Sequence, residues 1–153
     1  MQTQDTCRKL CKLSTFLNHA SKELDNVASH VEQKKIKMSV RDLALKVKQY
    51  KCELNSQIAM LNLKCSLGRN IHKEAANNFT ENKKLSDKKI IELCCNSEVF
   101  FSKAYNSILN GFIPFKPLKD MLRYQLTGIR SAFRQLKLLH SVMTPGVAEV
   151  IVY

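Results

Sequence analysis

The chain has 153 residues, 44% of them hydrophobic and 25% charged, with a formal net charge of +12 and a pI near 9.6. That length suits a single domain whose core needs neither metal nor disulfide, and the composition excludes a disordered, collagen-like or low-complexity chain. The charge selects for an anionic partner: nucleic acid, an acidic membrane leaflet or an acidic protein surface.

No apolar run approaches the roughly 18 residues of a membrane span, and the opening MQTQDTCRKLCKLSTF lacks the continuous apolar stretch of a secretory signal. The expectation is an intracellular protein, cytoplasmic rather than nuclear. Its six cysteines, Cys7, Cys11, Cys52, Cys65, Cys94 and Cys95, are then thiols. In that setting the Asn78-Phe79-Thr80 triplet carries no glycosylation meaning.

In chain order, apolar residues first recur at Leu10, Leu13, Leu17, Ala20, Leu24, Val27 and Val31, a 3-4 spacing that predicts a helix over about 5–33 with one seam facing a partner. After the basic stretch EQKKIK, Ser39 with Asp42 three residues on is a capping signal. It opens a second seam, Val40, Leu43, Val47, Tyr50, Leu54, Ile58, Leu61 and Cys65, and predicts a helix over 39–79 with Gly68 as a weak point. Polar residues 80–86 lead to a further cap at Ser86-Asp87 and a third helix over 87–110. That segment is apolar on more than one face, which suggests burial on two sides. Gly111 ends it, Phe112-Ile113-Pro114-Phe115 makes a turn, and Pro117 suits the start of a last helix over 117–142. Pro145-Gly146 stops that helix, leaving the apolar tail VAEVIVY at the end of residues 144–153.

The expected fold is all-α, a four-helix up-down bundle in one domain. The seams would serve equally in an elongated helical-hairpin or coiled-coil bundle completed by a second chain, as a homo- or hetero-oligomer.

The last helix carries the candidate functional surface. With Lys119 at 0° and about 100° per residue, Lys116, Arg123, Arg130, Arg134 and Lys137 fall within about 60° of it, while leucines and other apolar residues fill about 200° to 340°. An amphipathic helix must place polar residues somewhere, but a merely wet face intersperses acids that gain a few tenths of a kcal/mol per i,i+4 pair. Here Asp120 is the lone acid, off the line. On the second helix, by contrast, Arg41, Lys46, Lys48, Lys51 and Lys64 scatter around the axis.

No motif of an enzyme or a cofactor site occurs: no P-loop, GxGxxG or HExxH. Cys7-x3-Cys11 could supply two corners of a zinc site, but His19 and His30 lie too far along the same helix to complete it. Cys94-Cys95 in an apolar helix reads as core filling, and His72 and His140, like the other two histidines, stand alone.

The sequence therefore points to a non-enzymatic scaffold or adaptor that binds an acidic protein, for instance a cytoskeletal one, through the basic stripe. Nucleic-acid binding through phosphate contacts is the runner-up, and adhesion to an anionic membrane the third reading. Phe112 and Phe115 are expected to tuck over the bundle end, with an exposed docking role as the alternative, and Ile151 and Tyr153 in the tail could add apolar contacts.

Overall fold

The computed structural model describes residues 2–61 and 85–142. Five helical segments form among them: α1 (Gln2–Ser29), α2 (Lys34–Met60), α3 (Asp87–Asn96), α4 (Glu98–Leu109) and α5 (Lys116–Val142). The all-α bundle is as expected, and it is closed by residues of one chain.

The seams do the closing. Leu10, Leu13, Leu17, Leu24, Val27 and Val31 of the first seam are all buried, as are Val40, Leu43, Val47, Tyr50, Leu54 and Ile58 of the second. They face each other across an antiparallel α1–α2 hairpin, whose flank is registered by Ser14 donating to Asn55 and Lys51 donating to Asn18. Both seams are thus packed within the chain.

Two boundaries differ from the expected ones, for a tertiary reason. The first helix stops at Ser29, short of 33, and the second starts at Lys34, ahead of Ser39. The Asp87 carboxylate accepts the backbone N–H groups of Glu32 at 2.9 Å and Gln33 at 2.8 Å. An acid from α3 thereby satisfies the amides of the two residues that lead into α2 and fixes where that helix begins. Ser39 is left inside the helix, and Ile36 joins the core. Ser86 caps α3 as its sequence suggests, accepting from the Lys89 amide at 3.2 Å. The expected continuation of the second helix to Phe79 lies outside the described residues.

The third expected helix is interrupted at Ser97, whose hydroxyl donates to the Cys94 carbonyl at 2.6 Å. Its apolar surplus is not buried on two sides. Ile90, Ile91, Cys94, Phe101, Tyr105 and Ile108 face the core, whereas Val99 and Phe100 are exposed.

The contacts fix the connection order. Thr6 donates to the Phe112 carbonyl, Phe16 packs on Phe101, and Glu32 meets Asp87, so α1 runs antiparallel to α3 and α4. Phe133 packs on Phe101 and Lys137 reaches Glu98, so α5 is antiparallel to them as well. Neighbours are antiparallel throughout, but α2 and α3 run the same way, and the helices follow in the order up, down, down, up. Met60 and Asp87 therefore stand at opposite ends of the bundle.

Candidate functional site

Burial of Leu118, Leu122, Leu126, Ile129, Phe133 and Leu136 sets the rotation of α5 about its axis. On one flank the Tyr124 ring meets Tyr50 of α2 at 6.0 Å, and on the other Phe133 meets Phe101 of α4 at 5.5 Å. With the helix held from both sides, the basic line is turned to solvent. Arg123, Arg130, Arg134, Lys116 and Lys137 are exposed, and Lys119 is half-buried.

The line is shorter in electrostatic terms than in sequence. Asp120, although off the line, lies 3.2 Å from Lys116, and Glu98 of α4 lies 2.5 Å from Lys137. The two ends are therefore compensated. Lys119, Arg123, Arg130 and Arg134 form no salt bridge among the described residues, and at about 1.5 Å per residue they cover about 22 Å along the helix. Such exposed pairs as the two terminal ones contribute about 0–1 kcal/mol. They dilute the charge at the ends more than they stabilise the fold.

Gln125 is a core residue. It is fully buried, donates to the Tyr50 carbonyl and to Glu53, each at 3.1 Å, and accepts the Tyr105 hydroxyl at 2.7 Å. It cannot reach a base edge. Its position at about 240° on the helical projection, inside the apolar arc, is the signal that places it there.

The turn after α4 corrects an expectation. Phe112 and Phe115 are exposed at 59% and 42%, and only Ile113 packs against the core. The Thr6 hydroxyl bonded to the Phe112 carbonyl holds this backbone at the bundle end, with both rings turned outward. Ile151 and Tyr153 lie outside the described residues, as does His72.

The cysteines are not all thiols. Cys11 is disulfide-bonded, whereas Cys52, Cys94 and Cys95 are free; Cys65 lies outside the described residues. The bond at Cys11 withdraws that sulfur from any zinc site. Cys94 fills the core as expected, its thiol pushed up to about 12 by burial. Burial also raises Cys95, with Lys137 acting in the opposite direction.

A second feature escaped the sequence reading. Where α3 gives way to α4, a groove of about 570 Å³ opens against α1, lined by Phe16, Leu24, Leu93, Phe100 and Phe101 with Glu23 and His19 at its wall. The surplus of apolar residues at Val99-Phe100-Phe101 was its only trace in sequence. Among the described residues no helix is long and apolar enough to cross a membrane, and no cluster of His, Cys, Asp and Glu is arranged to hold a metal. Neither a family model nor a curated protein nor a solved structure matches the chain.

Proposed function

We propose that the protein is a non-enzymatic binding module, a scaffold or adaptor that receives an acidic protein surface along Lys119, Arg123, Arg130 and Arg134. One observation carries this reading: four like charges lie in line on the outer face of a helix clamped from both flanks, with no acid among the described residues to neutralise them. Their mutual repulsion lowers the stability of the isolated chain and is relieved by a line of carboxylates, which arginine grips bidentately. Nucleic acid offers the same relief. The burial of Gln125 removes a base-reading group and leaves phosphate contact alone for that second reading.

Titration with a polyglutamate peptide and with a DNA duplex, monitored by anisotropy over a salt series, separates the two. The test compares wild type, a variant with all four residues changed to glutamate, and a charge-matched control with Lys12, Lys35, Arg41 and Lys48 changed likewise. The expected result is a tenfold or greater loss of peptide affinity in the stripe variant and less than threefold in the control. Equal losses in both variants mean that net charge alone is felt, and the stripe is no site. Tighter binding to the duplex, with a log–log salt slope of about −3.6 for four phosphate contacts, favours nucleic acid.

A further inference from the structure

We propose that the groove between α1 and the α3–α4 junction binds a small organic ammonium ion with an aromatic or aliphatic body. The site is separate from the basic line and draws on opposite chemistry.

The volume of about 570 Å³ lies within the range of small-molecule pockets. Its walls are mostly apolar, and three phenyl rings contribute. Phe16 and Phe101 meet edge to face with centroids 4.9 Å apart, and Phe100, 58% exposed, stands beside them. Ring faces attract cations, more strongly where water is thin.

Glu23 supplies the counter-charge. Its Oε1 is shut off from solvent and accepts no hydrogen bond. Burial raises the carboxyl pKa. Among the described residues no lysine or arginine lines the groove, where His19 is the one basic side chain, although lysine and arginine outnumber the acids 25 to 13 in the chain. A desolvated acceptor of this kind costs free energy until a donor reaches it. An ammonium group on an apolar body supplies the donor, the charge and the filling for the cavity together. Anions are disfavoured by the carboxylate, and neutral apolar molecules leave its oxygen unsatisfied.

The test uses 4-phenylbutylammonium and its neutral counterpart 4-phenylbutan-1-ol, titrated into the full chain and followed by amide chemical shifts. Binding of the amine is expected to move the resonances of Ala20, Leu93, Asn96 and Phe100, with at least tenfold higher affinity than the alcohol. Glu23→Gln should bring the two affinities within twofold of each other. Phe100→Ala, at an exposed position, should weaken both several-fold, and it decides the matter should Glu23→Gln fail to fold by circular dichroism. Equal affinity for amine and alcohol in the wild type overturns the proposal. So does a preference that survives Glu23→Gln, shifts that map to another surface, or a Phe100→Ala variant that binds both probes as wild type does.

Discussion

Gln125 shows how one side chain can join three helices. Its amide serves the buried Tyr105 hydroxyl, the buried Tyr50 carbonyl and the half-buried Glu53, and burial raises the Tyr105 phenol well above its ordinary range. Gln125→Leu keeps the size but strands the Tyr105 hydroxyl, and is expected to cost about 2–3 kcal/mol in urea unfolding. Adding Tyr105→Phe should recover part of that loss, because both partners of the bond are then apolar. Gly128 is subject to opposing local and tertiary effects. By helix propensity Gly128→Ala should gain about 1 kcal/mol, yet an added Cβ would stand 2.1 Å from the Tyr50 hydroxyl oxygen and 3.1 Å from its ring carbon. Tyr50 is only 4% exposed and has little room to withdraw. Overpacking of this type costs about 1–3 kcal/mol, so a net loss of stability is expected, smaller in a Tyr50→Phe background. Glu23 gives a pH signature. An acid whose folded pKa is raised destabilises the fold above that pKa, so Glu23→Gln should be more stable than wild type at neutral pH. The difference should fade as acidification protonates the carboxyl in both folded and unfolded states.

At the scale of elements, helix types were legible and their ends only partly so. The seams of α1 and α2 announce helices because a 3-4 repeat has no other use, and Ser86 caps α3 from within its own sequence. The start of α2 was not legible, because its acceptor is Asp87, more than fifty positions away in the chain. Asp87→Ala is expected to lower stability by about 1–2 kcal/mol, in the range of a lost cap. It should also speed hydrogen exchange at the Glu32 and Gln33 amides specifically. A uniform increase across α1 and α2 would instead mean that Asp87 acts through the general packing of α3. The break at Ser97 was likewise hidden, since neither glycine nor proline marks it; it emerges where a polar hydroxyl turns back to the Cys94 carbonyl.

For the whole molecule, the excess of positive charge falls mainly on α2 and α5, with α3 and α4 neutral, and on α5 the cations are aligned on one face. A chain selected for stability alone would alternate signs there. Arg130→Glu creates an i,i+4 contact with Arg134 and removes repulsion from Arg123, and should raise stability by a few tenths of a kcal/mol at low salt, an effect that disappears at about 1 M. A destabilisation would show that Arg130 has a structural role and would weaken the case for the stripe as a binding surface. The sequence by itself determined the all-α class, the core-facing residues and the line of cations, because each is a periodicity on a single helix and needs only the helical repeat to be seen. The tertiary structure alone decided the down-down order of α2 and α3, the bonding of Asp87 to the residues that lead into α2, the bond at Cys11, the outward Phe112 and Phe115, and the groove beside Glu23. Each of these depends on which distant segments meet, and a local pattern carries no record of that.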